Sequence, residues 1–440
     1  MINKSLKIII LAAGESKRIL SSKSKILHTI GGKTILNHVI DNVSKIVKKK
    51  NINIVISPKL AELKNIYKGI NFSFQKKPLG TANAVMASKK FYSKAKEDIL
   101  ILFADNPFID EKIINKMTIL KRKMNSDIVL LTVRTKKYNE YGRIILNDKG
   151  RVEKIVEFKD ATNKQKRISL CNSGIILIKN NILKKLIGEI KPNSKKKEYY
   201  LTDIIELASK DNLKVDFIEE NFLRTLGVNT KQELVIAEEY FQNILRNKFI
   251  SKGVKLLDPN SVYFHYDTKI GKDVVIEPNI FFGPNVIINN NVHIKAFSHI
   301  EGAKIYDNVT IGPFARLRPE TKINENSHIG NFVEIKKTNI KKNSKVNHLT
   351  YLGDSEIGEN VNIGAGVITC NYDGIKKNKT KIENNVFVGS NASLIAPVKL
   401  SKDSIIGAGS VITESVKEKA LAVERNNQKI FPNYKKNRKK

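Results

Sequence analysis

The sequence predicts two architectures in series: an α/β domain with an open, Rossmann-like sheet, then an all-β parallel β-helix. Three observations carry this. Short apolar runs alternate with helix-spaced segments over residues 1–228, a stretch free of glycine and proline follows, and beyond Gly253 aliphatic residues recur every six positions. At 440 residues the chain exceeds one ordinary core, and its 41% apolar residues suffice for two.

The elements follow in order. Lys7 to Leu11 reads as a buried strand that ends in a loop at Ala12-Ala13-Gly14. From Ile35 to Val47 the apolar residues keep helical spacing, and Ile52 to Ile56 is strand-like again, which makes a βαβ unit. Further strands are expected at Asp98 to Phe103, Ile128 to Val133 and Gly174 to Ile178, with helices at Asp110 to Lys123 and Asp203 to Ser209. The pattern implies an open, mostly parallel sheet covered by helices over 1–228. Leu234, Ala237, Phe241, Ile244 and Leu245 then mark one linking helix within 229–252.

From 253 to 440 the period is six. Ile305, Ile311, Leu317, Ile323, Ile329 and Ile335 form one series, and Ile382, Val388, Leu394, Leu400, Ile406 and Ile412 another, many with glycine next in sequence. Each hexapeptide makes one flat face of a triangular coil, its aliphatic side chain inward, so about three make a turn. Between Thr369 and Ile382 the step is thirteen, so seven residues leave the coil as a loop carrying Asn371-Tyr372-Asp373-Gly374. From Thr413 the period is lost, which predicts an arm with a frayed tail ending in Lys436-Asn437-Arg438-Lys439-Lys440.

Composition excludes several classes. No run approaches the ~18 uncharged apolar residues of a membrane span, and Ile8 to Ala13 is short for a signal peptide, so a cytoplasmic location and no membrane partner are expected. Cys171 and Cys370 make neither a disulfide framework nor a cysteine metal site. The net charge of +35 is mostly lysine spread along the chain, without the interleaved aromatics of a nucleic-acid module. It suits anionic small substrates and implies no specific nucleic acid.

Several residues carry chemistry. After the first strand, exposed backbone N–H groups near Gly14 can cradle phosphates while Arg18 and Lys25 neutralise them. Gln75 and Leu79-Gly80-Thr81 offer an amide and a tight loop for reading a base edge. Asp105 ends an apolar strand, where α/β folds bind ligands and a carboxylate can hold Mg²⁺.

The order of these features carries a resemblance. Leu11-Ala-Ala-Gly14…Arg18…Lys25, Gln75…Leu79-Gly-Thr81, Asp105-Asn-Pro107, Tyr141-Gly-Arg143, Val156 to Ala161, Asn172-Ser-Gly174, Glu198 to Asp203 and Gly227-Val-Asn229 resemble the sugar-1-phosphate nucleotidyltransferases. Joined to Gly312 to Pro319, Gly330 to Lys337, His348 to Asp354 and Asn362 to Gly366, they are similar to the bifunctional N-acetylglucosamine-1-phosphate uridylyltransferases/glucosamine-1-phosphate acetyltransferases. The resemblance implies a nucleotidyltransferase domain followed by a left-handed β-helix, assembled as a homotrimer. It implies synthesis of UDP-N-acetylglucosamine from glucosamine 1-phosphate, acetyl-CoA and UTP, for peptidoglycan and lipopolysaccharide.

By the same resemblance, Leu11, Ala12, Gly14, Gln75, Gly80 and Thr81 would bind the uridine nucleotide and Arg18 and Lys25 its phosphates. Asp105 and Asn229 would hold Mg²⁺, and Gly142, Glu157, Asn172, Tyr200 and Thr202 would line the sugar pocket. In the coil His348 would be the general base, Arg318 and Lys336 would hold the sugar phosphate, and Tyr351, Asn362 and Tyr372 would line the amino-sugar site. Ala365, Asn371, Ser390, Ala408 and Arg425, with Tyr372 beside them, would serve acetyl-CoA. The family pattern is broken at Ser16, Ser24 and Ala104, while the residues with charge roles are present. Two rivals stand beside this reading. One is a nucleotidyltransferase with a merely structural or regulatory coil, which would have no reason to carry His348, Asn371, Tyr372 and Arg425. The other is a basic nucleic-acid scaffold.

Overall fold

Alternate side chains of the first strand enter opposite cores, which is why its run is apolar throughout. In the computed structural model, which describes residues 5–14, 17–135, 140–192, 197–432 and 434, β1 (Leu6–Leu11) sends Leu6, Ile8 and Ile10 to one side and Ile9 and Leu11 to the other. Ser16 and the terminal Lys436 to Lys440 lie outside the described residues. The chain divides into two units, Met1–Phe241 and Gln242–Lys440.

In the first unit the principal elements after β1 are α1 (Ile35–Ser44), β2 (Ile52–Ile56), β3 (Asn71–Phe74), α2 (Thr81–Ala87), β4 (Asp98–Phe103), α3 (Glu111–Met124) and β5 (Ile128–Arg134). Then come β6 (Arg143–Leu146), β7 (Val152–Val156), β8 (Leu170–Ile178), α4 (Asn180–Ile187), α5 (Asp203–Lys210) and β9 (Val215–Glu220). Local chemistry sets the helix starts. Thr34 Oγ1 accepts the Asn37 N–H at 3.2 Å for α1, and Asp110 Oδ1 accepts the Ile113 N–H at 3.1 Å for α3. Leu36, Val39, Ile40 and Val43 of α1 and Ile113, Ile114 and Met117 of α3 cover one face of the sheet; Ala82, Val85, Leu183, Ile204 and Ile205 cover the other.

The sheet order is β9-β5-β8-β4-β1-β2-β3, with the β6/β7 hairpin paired to β8. As expected the sheet is mostly parallel, with β9, β5, β4, β1, β2 and β3 all running one way, and one strand departs from that direction. β8 begins at Leu170, four residues before the expected Gly174, and runs antiparallel to β4, β5 and β6, so the sheet is mixed. The cause is the connection. Between β7 and β8 the only helix is a single turn, Asn163–Lys166, too short for the crossover that a parallel return needs.

A long helix, α6 (Lys231–Ile250), opens with a capping box: Thr230 Oγ1 accepts the Glu233 N–H at 3.1 Å, and Glu233 Oε2 accepts the Thr230 N–H at 2.8 Å. Its first half belongs to the first unit, where Ala237, Tyr240 and Phe241 pack with Ile30, Ile35 and Phe108. Its second half belongs to the second unit and caps the coil. Gln242 exchanges two 2.8 Å hydrogen bonds with the Phe264 backbone, and the Phe264 ring stacks on Phe282 and meets Phe249 at a tilt.

The coil consists of three parallel sheets of ten, nine and eight short strands, each strand pairing with the one a full turn later. Register partners such as Ile276 and Ile294, or Ile294 and Ile311, set a turn of 18 or 17 residues. The six-period aliphatics from Ile276 to Ile412 are buried, while Ile270 on the first turn is half-buried. A second buried series two positions earlier, including Ser298, Thr321, Ser344 and Ser410, is small and fills the corners. At Gly330 the next turn passes so close that a Cβ would lie 1.9 Å from the Asn347 carbonyl oxygen, which bars any other residue. The arm starts as a further rung: Leu421–Ala422 pairs with Ile405 and Ile406.

Candidate functional sites

The first site lies at the carboxyl ends of β1 and β4, the edge where open α/β sheets bind ligands. A cavity of about 440 Å³ there is lined by Leu11, Ala12, Gly14, Arg18, Lys25, Gln75, Gly80, Thr81, Asp105, Gly142, Glu157, Asn172, Thr202 and Asn229. Tyr200 lies apart from these, in an adjoining recess with Glu157, Phe158, Lys159 and Glu198.

Hydrogen bonds hold this constellation. Gln75 is buried and donates both amide hydrogens, to the Gly80 carbonyl at 3.0 Å and to Asn83 Oδ1 at 3.0 Å, which leaves Oε1 as its acceptor. Thr81 Oγ1 accepts the Leu201 N–H at 2.9 Å, and Tyr199 pairs with Leu79 and Ala82 through the backbone, so the 79–82 loop and the 199–201 segment are one sewn unit. Thr202 donates to Glu157 Oε1 at 2.8 Å. Burial and the neighbouring Glu157, Glu206 and Asp160 push the Asp203 carboxyl up to about 6. Burial, with Glu198, Asp160 and Glu157 nearby, pushes the Tyr200 phenol up to about 12.

Two of the three departures from the family pattern are accommodated. Ser24 sits at φ −56°, a backbone that proline would also adopt, and Ala104 is buried in the core with its N–H donated to the Leu11 carbonyl at 2.9 Å. Ser16 cannot be placed among them, being outside the described residues.

Lys25 shows what Asp105 and Asn229 can hold. Its ammonium is paired with the Asp105 carboxylate and donates to Asn229 Oδ1 at 2.7 Å, so two oxygens converge on one cation. Among the described residues no group of three or more His, Cys, Asp or Glu could hold a metal. A carboxylate and an amide oxygen still fit Mg²⁺, which keeps several waters and shares its sphere with substrate phosphates. Asn229 is itself fixed: its N–H donates to Glu233 Oε2 at 2.7 Å and its Nδ2 to the Gly227 carbonyl at 3.3 Å. Arg18 pairs with Glu140 at the cavity mouth, a partner that no motif pointed to.

The second site is spread over the coil. At the corner between the second and third sheets stand Arg318, Lys336, Asp354 and Asn371. Arg318 pairs with Glu334 at 2.8 Å, and Asn371 Nδ2 donates to Asp354 Oδ2 at 2.6 Å. The inserted loop folds on itself, with Asp373 accepting N–H groups from Ile375 and Lys376 and the amide of Asn378; these bonds hold its carboxyl down at about 2. Tyr372 donates its hydroxyl to the Gly374 carbonyl at 2.6 Å. The loop carries Lys377 to Lys336. The side chain of Lys377 within hydrogen-bonding range, then burial and the Lys377 charge, push the Lys336 ammonium below its usual value. Lys377 was missed by sequence reasoning; the thirteen-residue step was its only signal.

His348 lies at the other end of the same stretch, and Tyr351 pairs in register with Glu334 in the second sheet. Asn362 faces outward from the first sheet, between Lys345 and Phe387. Along the first corner, small residues stack turn upon turn. The Gly366 N–H donates to the His348 carbonyl, the Asn391 N–H to the Ala365 carbonyl at 2.7 Å and the Gly409 N–H to the Ser390 carbonyl at 2.7 Å, with Ala408 in the last turn and the Arg425 stem close by. One chain therefore brings together Arg318, Lys336 and Asn371, and lines up His348, Ala365, Ser390 and Ala408, with Asn362 on the first sheet in the strand next to that of His348 and away from the Arg318 corner.

A mixed sheet with a cavity at its carboxyl edge, followed in sequence by a three-sided hexapeptide coil, is the architecture that two transferase family models describe. The family model described as "Nucleotidyl transferase" matches residues 7–235, and "Bacterial transferase hexapeptide (six repeats)" matches 267–302, 302–337 and 379–414. The chain belongs to the family of the bifunctional protein GlmU. It is 42% identical to that protein of Buchnera aphidicola subsp. Acyrthosiphon pisum, covering 100% of this chain and 99% of the relative. It is 40% identical to those of Zymomonas mobilis subsp. mobilis (97% and 96% covered) and Wolbachia pipientis wMel (97% and 99% covered). Among the described residues no helix is long and apolar enough to cross a membrane.

Proposed function

We propose that this chain makes UDP-N-acetylglucosamine by two transfers. The coil moves the acetyl group of acetyl-CoA to the amine of glucosamine 1-phosphate, and the sheet domain joins the product to UTP with release of pyrophosphate. Full-length membership of the GlmU family supports the pair of activities. The structural observation that carries the reading is the single cavity in which Gln75, Lys25, Asp105, Asn229, Glu157 and Thr202 meet.

In the sheet domain a phosphate oxygen of the sugar phosphate attacks the α-phosphorus of UTP, and the bond to pyrophosphate breaks. Such transfer needs positioning and charge neutralisation more than covalent chemistry. Gln75 Oε1 accepts the imide N–H of uracil, Arg18 and Lys25 offset the phosphate charge, and Glu157 with Thr202 orients the sugar hydroxyls. Asp105 and Asn229 hold Mg²⁺, which when bound would draw charge from the phosphate oxygens.

In the coil the substrate amine arrives protonated and must lose that proton before it can attack. His348 takes it, the amine attacks the thioester carbonyl, and the coenzyme A thiolate leaves and is protonated. Arg318, Lys336 and Lys377 hold the sugar phosphate. Ala365, Ser390 and Ala408 offer a smooth strip for the coenzyme, with Arg425 for its phosphates. Because these residues occupy two faces of one prism, a neighbouring copy is needed to close the site, and a homotrimer supplies one seam per copy. The exposed ladder of Phe297, Phe314 and Phe332, stacked at 5.0 and 5.1 Å, supports such burial.

A coupled assay with glucosamine 1-phosphate, acetyl-CoA, UTP and Mg²⁺, followed by mass spectrometry, tests the reading. It should show N-acetylglucosamine 1-phosphate and then UDP-N-acetylglucosamine. If nucleotide sugar forms only from sugar already acetylated, the coil is structural. Light scattering of the full chain should return three times 49.7 kDa.

A further inference from the structure

The strand pair that carries His348 departs from the rest of the coil. Most coil strands are two or three residues long, whereas His328–Asn331 and Lys345–His348 have four each. The extra length adds the register pair Asn331 and His348 beyond the ordinary end of the ladder. Across that pair His348 Nδ1 and Asn331 Oδ1 are 2.6 Å apart. The backbone around them is pinned. The Leu349 N–H donates to the Asn331 carbonyl at 3.0 Å, and the His348 carbonyl accepts the Thr350 hydroxyl at 2.7 Å and the Gly366 N–H at 3.3 Å.

An amide oxygen can only accept, so Nδ1 must carry the hydrogen. A neutral imidazole protonated at Nδ1 keeps its lone pair on Nε2. We infer that Asn331 is a positioning residue for acetyl transfer: it fixes the His348 tautomer and ring orientation so that Nε2 is the atom that takes the proton from the substrate amine. This rests on the assignment of His348 as the base. When the proton arrives the imidazolium keeps both N–H groups bonded, one to Asn331 and one to the site it came from, so no ring flip is required.

The same strand pair contains a control. His328 Nδ1 and Asn347 Oδ1 are also 2.6 Å apart, with His328 three residues before Asn331 and Asn347 next to His348, so a matched bond exists that does not involve His348.

The test measures acetyl transfer as a function of pH in the full-length protein, with uridylyl transfer and thermal unfolding as checks on folding. Asn331→Ala frees the ring to rotate and to take the other tautomer; turnover should fall roughly 10- to 100-fold with the Michaelis constant for glucosamine 1-phosphate within about twofold. Asn331→Asp keeps the acceptor but sets an anion against the ring, which favours its protonated form; turnover at the plateau should stay within about threefold, while the acidic limb moves up by about 1 pH unit or more. Asn347→Ala should leave the limb in place. The inference is overturned if both Asn331 variants keep the parent profile, or if Asn347→Ala moves it as far as Asn331→Asp does. His348→Ala separates the two levels. Retained acetyl transfer in that variant removes the base assignment itself, whereas its loss with unaltered Asn331 variants removes only the positioning role.

Discussion

Gly80 is where one added methyl group should disable one activity and spare the other. Its backbone sits at φ +100° and ψ 175°, a region essentially restricted to glycine. A Cβ there would lie 2.4 Å from the Tyr199 carbonyl oxygen and 2.8 Å from its nitrogen. Those same Tyr199 groups accept the Ala82 N–H at 2.9 Å and donate to the Leu79 carbonyl at 2.8 Å. Gly80→Ala must therefore strain the backbone, at about 1–3 kcal/mol, and break a pair of hydrogen bonds worth about 1 kcal/mol each. If that total of about 3–5 kcal/mol falls on the bound complex, kcat/KM for uridylyl transfer drops by roughly 10²- to 10³-fold or more. Because the 79–82 loop and the 199–201 segment line one cavity, which under the proposed function takes the base and the sugar, the Michaelis constants for both UTP and N-acetylglucosamine 1-phosphate should rise. The assay is initial-rate kinetics over both substrates, with acetyl transfer in the same preparation staying within about twofold. A uridylyl kcat/KM within about threefold of the parent would refute the reasoning, and a change confined to one substrate would refute the coupling.

Other substitutions separate the sites further. Asp105→Asn, or EDTA, should abolish uridylyl transfer and leave acetyl transfer intact; equal loss of both in a folded protein would sink the two-site account. Lys377→Met removes one of the cations gathered at the coil corner, so the Michaelis constant for glucosamine 1-phosphate should rise about tenfold or more with uridylyl transfer unchanged; an unmoved constant would place the phosphate elsewhere. Asp203 titrates at about 6 in the folded chain against an ordinary 3.8, so the native state binds its proton more tightly than the unfolded chain. Its contribution is full below about pH 4 and is lost as pH rises through about 6. Asp203→Asn should accordingly raise the unfolding midpoint at pH 7.5 and change it little at pH 4; an equal shift at both would show that charge is not the cause.

Much of the first unit was legible because its central strands β1, β2, β4 and β5 are buried on both faces, whereas the half-exposed β3, β6, β7 and β9 gave no such run. An apolar run such as Ile8 to Leu11 has one reading when turn residues bound it, and the motifs at Gly14, Gln75 and Asp105 sit where those runs stop. The direction of β8 was not legible, since direction follows from the connection and a weak single-turn helix leaves no periodic trace. The meeting of Lys25 with Asp105 and Asn229 spans 80 and 204 residues, and Arg18 meets Glu140 across 122. Nothing local encodes such pairs. Only the resemblance placed Lys25 and Asp105 in one site, and even then it assigned the lysine to phosphate and not to the carboxylate it touches.

In the coil the signal lies in the breaks of the period. A strictly regular hexapeptide chain would give three flat faces and three uniform corners, none suited to gather charge. Here the aliphatic step shortens to five after Ile300, Ile335 and Leu352 and lengthens to thirteen after Thr369, and all four breaks fall on the corner between the second and third sheets. At two of the three five-residue steps, those after Ile335 and Leu352, a buried hydroxyl closes the tighter bend, whereas Ala303 stands at the first. Thr338 Oγ1 donates to the Lys336 carbonyl at 2.9 Å, and Ser355 Oγ to the Gly353 carbonyl at 2.8 Å. Lys336 ends its strand, in register with Gly353, and Asp354 follows at the same corner one turn later. The lengthened step then lays Lys377 against Lys336 from a turn that would otherwise have passed by. An interruption in such a repeat therefore has a spatial meaning, because corners of successive turns stack. Four interruptions on one corner mark the edge where Arg318, Lys336, Asp354 and Asn371 gather, and that argument reaches Lys377 without any motif, though not His348, which follows an unbroken step of six on the first sheet.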